Sequence, residues 1–188
     1  MKYIGLSTID WNSVIDSIKD QRGIVIGKVD EIFNEDGDSR DTRLEHVEQT
    51  ARLKLAGYNL MDSIEWSNYK PGKHFDSNVV AEFDKFVNCK SLAVWISSIR
   101  PGKCIPYHWD FDYGEFDAEV VANRNKLVRY TCHISKPEFG HIFATENQCF
   151  YNEQQGNTYQ WDHLDLYHGG SNFGLVPKYL FNYVGYPL

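Results

Sequence analysis

Tyr107-His108-Trp109-Asp110-Phe111-Asp112 sets an imidazole and a carboxylate two positions apart, with an aromatic ring between them. Side chains alternate along an extended chain, so His108 and Asp110 are expected to share one face of a strand. About sixty residues on, Tyr167-His168-Gly169-Gly170-Ser171-Asn172 brings a second imidazole, His168. Two imidazoles and one carboxylate hold one face of a metal and leave the other open to small ligands. That donor set suits mononuclear non-haem iron. Ten positions after His168 comes Lys178, next to Tyr179, Phe181 and Tyr183. A cation beside such a centre has a chemical use: it can pair with the far carboxylate of a dicarboxylate cosubstrate.

Each residue also has a blander reading. A bare His-x-Asp arises by chance about once in two chains of this composition, and a lone lysine is more often solvated than buried. Context favours the chemistry, because Arg100-Pro101-Gly102 is a turn between two extended stretches and places His108 at a barrel mouth. His163 is an alternative third ligand and Asp112 an alternative carboxylate. Tyr107, Trp109, Phe111 and Asn172 are candidates to line the pocket, whereas Trp95 and Tyr130 read as core. His46 and His74 read as surface or loop, and His141 as supporting or surface.

The elements that must position these groups follow from periodicity. Residues 10–20 place Trp11, Val14, Ile15 and Ile18 at helical spacing. A β-branched run predicts a strand over 23–29, and a second helix is expected over 44–56. A third helix, capped by Asp76, should run to about Cys89. From Ser91 the texture changes to short strands: 92–96, 107–111, 127–135, near Ile142, Cys149 and Tyr159, and 179–186. Gly169-Gly170 reads as a turn. Helices first, then closely spaced strands, predict an α+β chain ending in a jelly roll. One domain over 1–188 is expected, with a helical part at 1–90 and a jelly-roll core at 91–188.

Bulk properties narrow the function. The chain has 188 residues, 42% hydrophobic, with a net charge of −7. That charge argues against nucleic-acid binding. An aromatic share of 15% favours β structure with aromatic-lined cavities. Cys89, Cys104, Cys132 and Cys149 form no C-x-x-C pair, which fits free thiols in a reducing compartment. The N-terminal residues reach Asp10 without a long apolar core, and no run approaches a membrane span. A soluble intracellular protein is the expectation.

With these residues in view, the chain resembles the 2-oxoglutarate- and iron(II)-dependent oxygenases of the double-stranded β-helix (cupin) type, and within them the aspartyl/asparaginyl β-hydroxylase-like branch. The resemblance rests on Pro101-Gly102 before His108-x-Asp110, on the strand Leu127-Val128-Arg129-Tyr130-Thr131-Cys132-His133-Ile134, and on His168 followed at ten by a basic residue. It covers about residues 91–187. It implies Fe(II) held by His108, Asp110 and His168, and 2-oxoglutarate held by Lys178 with help from Arg129 and His133. Lys178 stands where that family usually carries arginine, giving a point charge in place of a bidentate fork. The substrate implied is a small molecule or peptide that is hydroxylated at a C–H bond. Two rivals keep the fold: a metal-binding cupin without oxygenase activity, and a metal-free structural jelly roll.

Overall fold

The computed structural model describes residues 1–28, 32, 34–36, 39, 44–58, 63–110 and 123–188, the side chains of 26, 27 and 44–46 excepted. Among these, three α-helices are α1 (Trp11–Ile18), α2 (Leu44–Leu55) and α3 (Asn78–Val87). The strands are β1 (Lys2–Leu6), β2 (Ile24–Lys28), β3 (Glu65–Tyr69), β4 (Cys89–Ile99), β5 (Cys104–His108), β6 (Val128–His133), β7 (His141–Thr145), β8 (Cys149–Tyr151), β9 (Asn157–Gln160), β10 (His168–Asn172) and β11 (Lys178–Pro187).

They form two antiparallel sheets, ordered β1-β9-β6-β11-β4-β3-β2 and β5-β10-β7-β8. The pairings from β4 onward are nested: β4 with β11, β5 with β10, β6 with β9, and β7 with β8. A long hairpin rolled up so that its arms fall alternately into two facing sheets gives this order. It is a double-stranded β-helix, the jelly-roll solution to exposed strand edges.

The larger sheet is buried on both faces, and its sequence explains how. Along β11, Tyr179, Phe181 and Tyr183 pack outward against Trp11, Val14 and Ile18 of α1 and Phe83 of α3. The alternate residues Leu180 and Asn182 face the space between the sheets, where Leu180 joins Phe143, Phe150 and Trp161. Strand period two delivers both faces from one run of residues. The Asp10 carboxylate accepts from the Ser13 N–H and starts α1. Asn88, in the left-handed region at φ 52°, ends α3 and turns the chain into β4. The Tyr183 hydroxyl donates to Asp84 Oδ1 at 2.6 Å and pins α3 to the sheet.

Four features differ from the sequence expectation. The part before residue 90 adds β1 and β3 to the expected strand β2, and all three widen the large sheet. In β3, Glu65-Trp66-Ser67-Asn68-Tyr69 alternates, with Trp66 and Asn68 on the cavity side. The strand expected over 107–111 is β5, which ends at His108 because its partner β10 begins at His168. Gly169 and Gly170 lie inside β10 and not in a turn. Asp76 accepts from the Asn78 N–H one residue ahead of the cap position, which Ser77 occupies without a side-chain bond. Among the described residues no helix is long and apolar enough to cross a membrane.

Phe181 is fully buried and within 6.4 Å, ring to ring, of Trp11, Phe75 and Phe83. Phe181→Ala is expected to lower unfolding free energy by about 3–5 kcal/mol, read from the shift in urea midpoint at unchanged m-value.

Candidate metal centre

Strand register builds the centre. His108, the last residue of β5, lies directly opposite His168, the first of β10. Directly opposed side chains in an antiparallel pair are within reach of each other, and the two ring centroids are 4.4 Å apart. Asp110 lies past the end of β5 and bends back: its Oδ1 is 3.3 Å from His108 Nε2, and its Oδ2 is 3.6 Å from His168 Nε2. One donor atom from each of the three residues falls within 4.8 Å of the others.

Backbone carbonyls fix which imidazole nitrogen is available. His108 Nδ1 lies 2.7 Å from Pro106 O, and His168 Nδ1 lies 3.0 Å from Leu166 O. A carbonyl only accepts, so each Nδ1 must carry the proton, and in a neutral ring Nε2 presents its lone pair. Metal-binding histidines are commonly oriented in this way. Burial drives the His168 pKa well below its ordinary value; His108 and Arg129 push the same way and Asp110 opposes them. His168 is therefore neutral at physiological pH, as a ligand must be.

Asp110 has a second partner that keeps it ionised. Arg129 Nη1 lies 2.5 Å from Asp110 Oδ2, although neither atom makes a well-aligned hydrogen bond. The contact is charge against charge. About a third of the Asp110 side chain is exposed, 35%, but Oδ2 itself is buried. Burial alone would raise its pKa; the Arg129 charge, followed by the two imidazoles, outweighs this and holds the carboxyl well below its usual range. Arg129 is buried and lies face-on over Trp161 at 3.6 Å, with Trp95 at 5.5 Å. With Oδ2 engaged, Oδ1 is the oxygen left for a metal.

Lys178, the first residue of β11, is buried beside Phe143. Its Nζ donates to Ile142 O, and no carboxylate pairs with it among the described residues. Burial pulls its pKa from 10.5 down to about 7. His133 is also buried, with Nε2 lacking a partner, and burial followed by the Lys178 charge lowers its pKa to about 3. Gly170 lines the cavity at the metal residues and approaches Lys178 from the other side. A Cβ there would meet Ile99 Cδ1 at 3.2 Å and Lys178 Nζ at 3.4 Å. At Gly169 a Cβ would meet Ile105 O at 3.1 Å. The glycine pair therefore serves close approach within a strand.

A cavity of about 120 Å³ opens at the three candidate ligands, walled by Trp66, Trp95, Phe143 and Arg129 and floored by Asn68, Ser97 and Asn182. Trp95 thus faces the cavity, although its type read as core; Tyr130 is core. Of the other candidates, Tyr107 is 41% exposed and stacks on Tyr167 away from this cavity. Trp109 also packs on Tyr167, and its backbone N–H donates to Gln49 Oε1 of α2. Asn172 is fully buried: its amide donates to Ile99 O and Val176 O and its oxygen accepts from the Gly174 N–H, so it ties the β10–β11 connection. Phe111 and Asp112 lie outside the described residues, as does the His46 side chain. His163 is exposed and outside the cluster. His74 is buried with Nδ1 accepting from the Lys70 N–H, and His141 Nε2 meets Val176 O, so both are structural. Arg129, expected to hold a cosubstrate, has its guanidinium on Asp110. Sequence reading missed Trp66, Asn68, Ser97, Trp161 and Asn182; the Trp66/Asn68 alternation was the available signal.

No family model matches this chain. Nor does any curated protein sequence. Solved structures align weakly. A viral collagen prolyl hydroxylase from Paramecium Bursaria Chlorella virus-1, crystallised with 2OG, is 15% identical over 76% of this chain and 90% of that one, with a TM-score of 0.44. A prolyl-4-hydroxylase from Pseudomonas putida is 12% identical over 95% and 100%, with a TM-score of 0.40. A DMSP lyase from Ruegeria pomeroyi DSS-3 is 14% identical over 90% and 78%, with a TM-score of 0.35. At these identities and scores the matches say nothing of activity, and the fold assignment rests on the strand order.

The Lys178 amine has a lower pKa folded, about 7, than unfolded, 10.5. Between those values the unfolded chain binds the extra proton, so this residue makes stability rise with pH, by at most about 1.4 kcal/mol per unit. Buried thiols such as Cys132, whose pKa burial raises to about 12, act in the opposite sense. The wild-type minus Lys178→Met difference isolates the lysine. Urea denaturation of ligand-free protein from pH 7 to 9 should show wild type gaining on the variant.

Proposed function

We propose that this chain is a non-haem Fe(II)- and 2-oxoglutarate-dependent dioxygenase that hydroxylates a C–H bond. The observation that carries this reading is Lys178. A buried ammonium with no carboxylate partner among the described residues costs stability unless an anion meets it. It lies one glycine away from two imidazoles with their lone pairs aimed at a common point. A metal-binding cupin without oxygenase activity has no use for that cation. A structural jelly roll has no use for either feature.

The donor set fits Fe(II), and Lys178, behind Gly170 of the cavity wall, supplies the cation that a dicarboxylate needs. His108 and His168 would hold the metal through Nε2 and Asp110 through Oδ1, with Arg129 restraining Oδ2. Lys178 would take the far carboxylate of 2-oxoglutarate, with His133 beside it as a neutral ring. When bound, iron and 2-oxoglutarate supply the chemistry by which one oxygen atom enters the substrate C–H bond and the other enters succinate as CO2 leaves. The protein's own contribution is orientation and the exclusion of water. Trp66, Trp95 and Phe143 wall the cavity with apolar surface, and Arg129 fixes the carboxylate. Assignment to the aspartyl/asparaginyl β-hydroxylase-like branch is supported by the motifs of the sequence alone. Because β1, β2 and β3 join the same sheet as β4 and β11, residues 1–188 are read as one domain.

Titration calorimetry of 2-oxoglutarate into anaerobic Fe(II)-loaded protein tests this reading. Wild type should bind in the micromolar range. His108→Ala should lose the metal, and Lys178→Met should keep it but bind 2-oxoglutarate at least tenfold more weakly. Gly170→Val should act like Lys178→Met, because a side chain there crowds the Lys178 amine. Metal binding with no response to 2-oxoglutarate would replace this proposal with the non-oxygenase cupin.

A further inference from the structure

The floor of the cavity carries a ladder of hydrogen bonds whose direction is fixed. An indole N–H can only donate, and two indoles feed the ladder. Trp161 Nε1 donates to Thr131 Oγ1 at 2.9 Å. The Thr131 hydroxyl then donates to Asn182 Oδ1 at 3.3 Å. Asn182 cannot be turned the other way round, because its Nδ2 also meets the carbonyl of Leu180 at 3.3 Å. From Nδ2 the ladder continues to Ser97 Oγ at 3.1 Å, where Trp95 Nε1 donates as well, also at 3.1 Å. With both acceptor positions used, Ser97 has one hydrogen left. It goes to Asn68 Oδ1 at 2.9 Å.

Asn68 lies directly opposite Ser97 in the β3–β4 register and lines the same cavity as His108, Asp110 and His168. Its oxygen is committed to Ser97, so its amide must present N–H groups elsewhere. Among the described residues nothing accepts from them. We infer that Asn68 Nδ2 is a fixed donor that reads a neutral carbonyl oxygen on the substrate, holding it between Trp66 and Trp95. The choice of a neutral carbonyl over a carboxylate follows from charge. Arg129 is already paired with Asp110, and Lys178 does not line this cavity. A donor without charge best matches an acceptor without charge. This inference rests on the proposed reading for its reaction, but the ladder itself needs neither metal nor cosubstrate.

N,N-dimethylformamide is a suitable probe, because it offers a carbonyl acceptor and no donor. It is titrated into 15N-labelled protein loaded with Zn(II) and 2-oxoglutarate, following the side-chain amide resonances of Asn68 and Asn182 and the indole resonances of Trp66 and Trp95. The Asn68 pair should shift with dose while the Asn182 pair stays in place. Ser97→Ala frees Asn68 to rotate and should weaken the response at least threefold. Asn68→Asp turns the donor into an acceptor, so the indole response to dimethylformamide should fall and a response to methylammonium should appear. The inference is overturned if the indoles respond but the Asn68 amide does not, or if Asn68→Asp keeps the original preference. Failure to retain Zn(II) would count against the metal reading alone. Metal-free protein should then still show the Asn68 shift, and its absence there would overturn the inference.

Discussion

The register between β5 and β10 is the constraint on which the centre depends. His168 opposes His108 in that pairing. A slip of one residue would send one of the two imidazoles to the other face of the sheet. The glycines behind His168 support this register sterically. A side chain at Gly169 would crowd the β5 backbone, and one at Gly170 would crowd Ile99 and Lys178. The sequence His-Gly-Gly is thus a ligand followed by the two positions where neighbours come closest.

Two buried cations face the interior in different ways. Arg129 has an internal counter-charge in Asp110 and an aromatic face in Trp161, so its burial is largely compensated. Lys178 has a single carbonyl and a depressed pKa. A protein tolerates such a group where an external anion completes it. The contrast divides the interior into a compensated pair and an uncompensated cation, and the second is the basis of the proposed cosubstrate contact.

The cavity floor comes from strands on both sides of the sequence divide at residue 90. Trp66 and Asn68 stand on β3, Trp95 and Ser97 on β4, and Asn182 on β11. β3 joins the sheet through β4, so the early part of the chain supplies the wall and the polar end of the site as well as the helices that cover the sheet. The direction of the ladder follows from the chemistry of its two indole ends, which is why one amide is left with a donor to offer.

Much of this was written locally in the sequence. Alternation along 179–186, the helical spacing of Trp11, Val14 and Ile18, and the types of His108, Asp110, His168 and Lys178 identified the strands, the helix and the candidate chemistry. These are legible because periodicity and donor type are properties of neighbouring residues. The tertiary structure decided which partners they met. Arg129, on β6, met the carboxylate of Asp110 just past the end of β5. Asn172 was absorbed by carbonyls 73 and four positions away, and Tyr107 was turned to the outer face by the β5 pairing. The Asn68–Ser97–Asn182–Thr131 ladder crosses four strands. Contacts of that kind exist only once the sheet has set its order and register, and no local pattern encodes them.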